Sequence, residues 1–425
     1  IFFGLRRGGS SYYAIDISNP SSPRLMWRIE GGTTGFTELG QTWSQAKLGY
    51  SKLNLSGDTA KPVLFFGGGY DPSKDNSGVG SEDNVGRAVY MVDAETGNLK
   101  WSMAEDNATT EFTGEDSIPS TIATLDSDGD GLVDRLYTGD TGGSVWRVDM
   151  PSNSVTDISV FELATLGGDT NSTDRRFFNE PAIVRTFITE TIESEVKAED
   201  QSTSTVTVHQ EIPYDAILLG SGDKSNPLGT DTSDVFFMIK DKNIITQNFG
   251  DSGTSIPDVI AIDDLYDFTD NPFETVSDTG RQALSVAVSN KSGWYFDLEL
   301  SGEKSTASAI VINNTVYFTT FSPPNLADEQ IDCELPSGQG WLYGVDLALG
   351  ISKFKWAEKD SKNREDRISF ISEQFLGAPT LIVIPNDPDD ATAGTTGNLI
   401  VGRRIVDIGF NLQTMRTYLY ITEDQ

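Results

Sequence analysis

RAVYMVDAETGNLKW (residues 87–101) has the pattern of a β-hairpin. Apolar residues alternate up to Asp93, Thr96 and Gly97 are typical of a tight turn, and Trp101 returns to the apolar face. The same order of apolar run, charged residue and turn recurs at four other places. These are residues 11–27, 143–153, 234–243 and 340–356. The chain therefore repeats one β unit, and the irregular spacing of the units indicates insertions between them.

A repeated hairpin that cannot bury its own apolar face is expected to stack on its neighbours. No window of the chain shows sustained helical periodicity, so helix should be a minor component. We predict one all-β domain over residues 1–425, a modified β-propeller of quinoprotein-like type with about seven irregular blades. Trp27, Trp101 and Trp356 end the fullest units, and we expect them to pack between blades rather than to contact a ligand.

Charge and composition limit the classes of partner. With 64 acidic and 31 basic residues, the formal net charge of the 425-residue chain is -33. This disfavours nucleic acid and anionic membrane surfaces, both of which are polyanions, and favours a cation as ligand. Solvation alone is an alternative explanation of the bulk charge. The single cysteine, Cys333, cannot form a disulfide within the chain, and no apolar run is long enough to span a bilayer.

The chain starts with IFFGLRRGG, without an initiator methionine or the layout of a signal peptide. We therefore expect a targeting segment upstream of this sequence.

Residues 125–134, LDSDGDGLVD, match the register of an EF-hand-type calcium loop. Aspartates stand at positions 1, 3, 5 and 9 of that register, and position 7 contributes a backbone carbonyl. Gly131 stands at position 6, where the loop needs a sharp turn. The predicted calcium ligands are Asp126, Asp128, Asp130, Asp134 and, through its carbonyl oxygen, Leu132.

Two features set this loop apart from a helix–loop–helix EF-hand. Position 12 is Tyr137 instead of a bidentate glutamate, and the flanking segments have the pattern of strands. The alternative interpretation is an acidic loop of Asx-turns that only caps a hairpin. Zinc and copper are disfavoured because no His or Cys is near, whereas magnesium stays possible.

The segment 183–220 alternates apolar and polar residues on both sides of KAEDQ. This pattern predicts a long two-stranded ribbon that projects from the body, with Lys197–Gln201 near its tip. The only histidine, His209, lies on its second arm, where a solvated strand position is favoured over a catalytic role. Residues 67–83 could hold a second cation or simply connect blades, and 219–227 lacks the Gly-Lys-Ser/Thr run of a phosphate-binding loop.

The segment IPSTIATLDSDGDGLVDRLYTGDTGGSVWRVDM (118–150) resembles the signature of the PilY-type family of type IV pilus tip-associated adhesins and biogenesis factors. Further segments in the same order resemble that family's C-terminal domain. They include LGQTWSQAKLG, RRFFNEPAIV, YDAILLGSGDKSNPL and GWYFDLELSGEKSTASAIVINNTVYFTTFSP.

The resemblance implies a propeller with one calcium loop, joined in the family to a variable N-terminal region. It also implies an extracellular location at the pilus tip, minor pilins as partners, and a surface or host-cell receptor as a further partner. Calcium occupancy would then influence pilus extension, retraction, attachment and twitching motility, without enzymatic activity.

Two other hypotheses remain open from the residues. A quinoprotein dehydrogenase would share the hairpin repeat, but its calcium would contact pyrroloquinoline quinone and substrate, and its calcium ligands would come from separate blades. A scaffold propeller without a ligand would explain the repeats but not the aspartate loop. The contiguous ligand set favours the pilus hypothesis over both.

Overall fold

A computed structural model describes the chain except for residues 77, 106, 198–202, 252–253, 274–275, 325–336, 354–366, 386–394 and 413–425. Side chains are also outside the description at 190–197, 203–209, 278–279, 282 and 410–412. The predictions for Cys333, Trp356, the ribbon tip beyond Lys197 and the His209 side chain therefore concern parts that lie outside the described residues.

The described strands form six sheets that follow one another along the chain. The first sheet consists of β1 (Phe2–Gly4), β2 (Ser11–Asp16) and β3 (Arg24–Glu30). The second consists of β4 (Lys47–Ser56), β5 (Thr59–Gly67), β6 (Ala88–Asp93), β7 (Leu99–Ala104) and β8 (Thr110–Glu111). The third consists of β9 (Ala123–Leu125), β10 (Arg135–Gly139), β11 (Ser144–Asp149), β12 (Ser159–Thr165) and β16 (Ile260–Ala261).

The other three sheets are formed by strands between Ala182 and Leu412. The fourth consists of β13 (Ala182–Lys197), β14 (Thr203–Gly220), β15 (Val235–Asp241), β17 (Tyr266–Asp267) and β18 (Gly293–Asp297). The fifth consists of β19 (Lys304–Ser305), β20 (Ile310–Ile312), β21 (Thr315–Ser322), β22 (Gln339–Asp346) and β23 (Ile368–Ser372). The sixth consists of β24 (Thr380–Pro385), β25 (Thr395–Val401) and β26 (Arg404–Leu412).

Helix is scarce in the described part of the chain. It comprises α1 (Asp278–Asn290) and three short 3₁₀ turns at Pro72–Asp75, Val155–Asp157 and Ile262–Asp264. Strand pairing is antiparallel except for the short pairs β7–β8, β12–β16 and β17–β18. The all-β prediction therefore holds for the described residues.

Each pair of successive sheets encloses one buried apolar cluster. Between the first and second sheets, for example, Tyr12 packs near Phe66 with ring centroids 4.3 Å apart. Between the fourth and fifth sheets, Phe236 stacks on Phe318 at 3.7 Å. This alternation of sheet and core is how propeller blades pack, because both faces of each inner sheet are apolar.

Tryptophans join one sheet to the turn of the next. The Trp27 indole donates to the Ala94 carbonyl at 3.0 Å, and Gly97, with φ of +74°, lies so close that a Cβ there would be 2.9 Å from the Trp27 ring. Trp294 repeats this contact further along, donating to the Leu347 carbonyl at 2.9 Å. The glycine of the predicted hairpin turn thus serves both the turn and the packing of the preceding sheet.

Strands β13 and β14 form the long ribbon expected at 183–220. They pair from Ala182 opposite Leu218 to Lys197 opposite Thr203, while β15 pairs only with Asp215–Gly220 of β14. From Asp215 toward the tip of the ribbon, no third strand pairs with β13 or β14 among the described strands. Its base therefore belongs to the fourth sheet, and its outer part extends past the sheet.

Candidate metal centre

The predicted calcium loop connects β9 to β10 in the third sheet. Gly129 and Gly131 have φ of +81° and +86°, left-handed values that residues with a side chain rarely adopt. The backbone turns at these two glycines fold the loop back on itself, so that alternate side chains can face a common point.

Three carboxylates meet at that point. One ligand oxygen each from Asp126, Asp128 and Asp130 can be chosen so that all lie within 4.8 Å of one another. Asp126 is held by the loop itself, because its Oδ1 accepts from Gly129 N at 2.7 Å and its Oδ2 accepts from Gly131 N at 2.8 Å. An all-oxygen set of clustered carboxylates fits a hard cation such as calcium. These residues are positions 1, 3 and 5 of the predicted loop.

Asp134 has a different environment. Its carboxylate is buried and accepts two hydrogen bonds from Ser127, one from the backbone N at 2.9 Å and one from Oγ at 2.7 Å. The backbone of Asp134 also bonds to Leu125 and Met150, which places it at the start of the β10 pairing. Asp134 therefore closes the base of the loop, and its role as a direct ligand stays a prediction.

Two other positions of the predicted register can be located. The Leu132 N–H donates to Asp130 Oδ1 at 2.8 Å, and the role of the Leu132 carbonyl as a ligand stays a prediction. Tyr137, at position 12, is buried in the core and donates its hydroxyl to Asp241 Oδ2 at 2.8 Å. The side chain at position 12 is thus committed to the interior.

A cation from the neighbouring sheet touches the carboxylate cluster. Lys52 on β4 places its Nζ 3.0 Å from Asp130 Oδ2 and 3.5 Å from Asp128 Oδ2. Its hydrogen bond lowers the pKa of Asp130, and the same bond raises the pKa of Lys52. Sequence analysis did not identify Lys52, because nothing local to the loop indicates a partner 76 residues away.

Behind the loop lies a buried network of charged side chains between the third and fourth sheets. Arg147 donates to Asp149 at 2.6 Å and to Asp241 at 2.6 Å, and Arg135 donates to Asp215 at 2.9 Å. All five side chains are buried. Hydrogen bonds within such a network fix the position of each member, since an unpaired buried charge is costly. The network therefore holds β10 and β11 of the third sheet against β14 and β15 of the fourth.

Arg185 joins this network to the loop. It lies on β13, at the base of the ribbon, and its Nε donates to Asp215 Oδ1 at 2.8 Å. Its Nη1 donates to the Ser127 carbonyl at 3.2 Å, and the Ser127 hydroxyl is 2.8 Å from Thr246 Oγ1. The start of the loop is thus fixed to the fourth sheet.

The two weaker sequence candidates, 67–83 and 219–227, line one polar cavity of about 350 Å³. In its wall, Arg7 donates to Asp75 Oδ2 at 2.7 Å and to the Ser225 carbonyl at 2.8 Å. In the described residues, a group of three potential metal ligands occurs at 126–130 but not here. The described side chains therefore give no support to a second cation site at 67–83.

Comparison with known proteins shows which family this chain resembles. Residues 1–205 match the family model described as the PilY1 beta-propeller domain. The crystal structure of the Pseudomonas aeruginosa PilY1 C-terminal domain aligns with 96% of this chain and 79% of that chain, at a TM-score of 0.58 and 17% sequence identity. This chain has the β-propeller fold of that domain and is similar in sequence to the PilY1 family. The family resemblance and the predicted all-β propeller fold are confirmed, whereas the described residues form six sheets where about seven blades were predicted.

Sequence relatives agree with this assignment. The type IV pilus biogenesis factor PilY1 of Pseudomonas aeruginosa is 24% identical over 370 residues, which cover 81% of this chain and 28% of that protein. The PilY1 homolog of Xylella fastidiosa is 27% identical over 371 residues, covering 82% of this chain and 21% of that protein. The chain thus spans about a quarter of the length of these relatives. Among the described helices, none has the length and apolarity needed to cross a membrane.

Proposed function

We propose that this PilY1-type propeller is a non-enzymatic, calcium-binding domain of a type IV pilus biogenesis factor. The observation that carries the proposal is the group of three carboxylates within 4.8 Å, at positions 1, 3 and 5 of a calcium-loop register. All three come from one contiguous loop, which favours this proposal over a quinoprotein enzyme with ligands from separate blades.

Asp126, Asp128 and Asp130 would hold the ion, with the Leu132 carbonyl and Asp134 as further candidate ligands. Bound calcium would supply positive charge that offsets the repulsion among the carboxylates. The residues at the base of the loop would keep their positions when calcium binds. Ser127, Asp134 and Arg185 hold the base of the loop, while the side that carries Asp128 and Asp130 is exposed.

By this proposal the protein acts outside the cell at the pilus tip. Its partners would be minor pilins, and a surface or host-cell receptor where the pilus attaches. Calcium occupancy would alter the loop and its contacts, and through them pilus extension, retraction and twitching motility. The names of the relatives support pilus biogenesis as the setting.

Calorimetric titration of the chain with calcium tests the binding site. Wild type should bind one calcium with a dissociation constant in the weak range of about 10⁻⁴–10⁻³ M, because position 12 lacks a glutamate. Asp126→Ala should abolish the calcium heat. Asp58→Ala, an exposed aspartate in the turn between β4 and β5, removes the same charge elsewhere and should bind like wild type. Equal heats for Asp126→Ala and wild type would reject the site.

A cellular experiment tests the role of the ion. In a piliated bacterium, the full-length protein would be expressed with Asp126→Ala or with the control Asp58→Ala, at equal abundance. We expect altered numbers of surface pili and altered twitching for Asp126→Ala alone. Normal piliation and motility for a variant that binds no calcium would mean that the loop has only a structural role.

A further inference from the structure

We infer that Lys52 is a tethered cation that competes with calcium for the loop, and thereby sets the calcium affinity of this propeller. The inference rests on the proposed calcium site and assigns a residue of the neighbouring sheet to its regulation. Lys52 lies on β4 of the second sheet, whereas the loop belongs to the third.

The ammonium of Lys52 stands where a cation is most favourable. It contacts one oxygen of Asp130 at 3.0 Å and one of Asp128 at 3.5 Å, and these are two of the three clustered carboxylates. A positive charge there reduces their mutual repulsion when no metal is bound. A metal ion that takes the same oxygens must displace the ammonium or share its charge.

The backbone keeps Lys52 in place. The Val133 N–H donates to the Tyr50 carbonyl at 2.7 Å, which fixes the end of the loop to β4 two residues before Lys52. A Cβ at Gly49 would lie 3.1 Å from Val133 Cγ2, so strand and loop are in close contact. The backbone of Lys52 is therefore held beside the cluster, within reach of its flexible side chain.

The loop has one fixed side and one exchangeable side. Ser127 bonds to the buried carboxylate of Asp134, to Thr246 and, through its carbonyl, to Arg185. Asp128 and Asp130 are exposed and have Lys52 as their ion-pair partner. Exchange of the ammonium for calcium would thus change the Asp128–Asp130 side and leave the base unchanged.

There is also space for the displaced side chain. Lys52 borders a recess of about 400 Å³ whose other walls include Ser127, Arg185 and Ile245. The ammonium can move into this recess and remain hydrated. Calcium binding would then break the contact between Lys52 and the loop, and so affect both the second and the third sheet.

The test compares Lys52→Met with Lys47→Met by calcium calorimetry on the 425-residue chain. Lys47 is also on β4 and pairs with Glu180 at 2.8 Å, so its replacement removes the same charge from the same strand away from the loop. We expect Lys52→Met to bind calcium about five- to tenfold more tightly than wild type, because two partly exposed ion pairs no longer compete. Lys47→Met and Lys52→Arg should stay near the wild-type affinity.

A second measurement separates competition from a structural effect. In chelator, Lys52→Met should unfold at a lower temperature than Lys47→Met, because the carboxylates then lack any cation. Excess calcium should remove this difference. Lys52→Gln provides a polar variant if the methionine impairs folding.

The outcomes distinguish a failure of the Lys52 competition from a failure of the proposed calcium site. Tighter binding by Lys52→Met, including binding where wild type shows none, supports the competition. Equal or weaker binding overturns it while leaving the calcium site intact. If neither wild type nor Lys52→Met binds calcium, both the competition and the proposed calcium function are wrong.

Discussion

Replacement of Asp134 by alanine should destabilise the chain even when no calcium is present. The Asp134 carboxylate is buried and accepts hydrogen bonds from Ser127 N at 2.9 Å and Ser127 Oγ at 2.7 Å. Hydrogen bonds to a charged group contribute about 1.5–3 kcal/mol each, and water cannot easily replace a buried acceptor. We therefore expect Asp134→Ala to lower the free energy of unfolding by about 3 kcal/mol or more.

Asp126→Ala is the matched variant for comparison. Asp126 also accepts amide hydrogen bonds, from Gly129 and Gly131 at 2.7 and 2.8 Å, but these amides are in an exposed loop. Water can replace the lost acceptor there, so the cost in chelator should be below about 1 kcal/mol. Asp134→Asn keeps one acceptor oxygen for Ser127 and should cost less than the alanine.

The assay is equilibrium unfolding by urea in chelator, followed by calcium calorimetry on each variant. If Asp134→Ala and Asp126→Ala are equally stable in chelator, the inference that Asp134 closes the base of the loop is refuted, and direct ligation is the better account of this carboxylate. The result also decides which variant suits cellular work. A variant that unfolds cannot report on calcium, which is why Asp126→Ala is the preferred replacement in pilus assays.

Three further outcomes are expected. Arg147→Met should lower the free energy of unfolding in urea by about 3–5 kcal/mol, because it removes the arginine partner of buried Asp241 and leaves buried Asp149 with Arg135 at 3.4 Å. Gly97→Ala should cost about 1–3 kcal/mol in the same assay, since its Cβ would lie 2.9 Å from the Trp27 ring at φ of +74°, whereas Gly57→Ala, with positive φ but open space, should cost less. Burial raises the pKa of Asp234 to about 6, so the folded state favours its protonated form, and stability from this group is lost as pH rises through that value. Between pH 4 and pH 7, wild type should therefore lose up to about 3 kcal/mol relative to Asp234→Asn in urea unfolding, and parallel pH profiles would contradict this.

The features that sequence predicted well are contiguous ones. The hairpin at 87–101 places its apolar alternation, Asp93 and its turn glycine within fifteen residues, so local chemistry alone indicates the structure. The cluster of Asp126, Asp128 and Asp130 is likewise within one loop. For these features the periodicity and turn preferences of the residues act over the same short range as the structure they produce.

The features that sequence could not predict depend on distant strands. Lys52 reaches the loop from another sheet, and Arg185 reaches it from the ribbon. The buried pairing of Arg147 with Asp241 runs against the usual exposure of both residue types, so composition gives no signal for it. Asp134 is an example in which the sequence suggests more than the structure supports. Its spacing in the register matches that of a ligand, whereas its carboxylate is buried at the base of the loop and bonds to Ser127.

The contrast between buried and exposed ion pairs gives a physical reason why the proposed response to calcium would be confined to this one loop. Inside, Arg135 and Arg147 are buried with their partners Asp149, Asp215 and Asp241, and loss of either arginine would leave a costly buried charge. That network cannot exchange its partners with solvent, so it keeps the third and fourth sheets in fixed register. At the loop, the carboxylates are exposed and their cation is a single lysine on a flexible stem, a contact of small net energy. A weak contact can be exchanged for a metal ion at millimolar concentrations or below, whereas the buried network cannot. The proposed response to calcium therefore requires both parts, because a loop without the fixed base would change shape with any ion, and a fully buried loop would change with none.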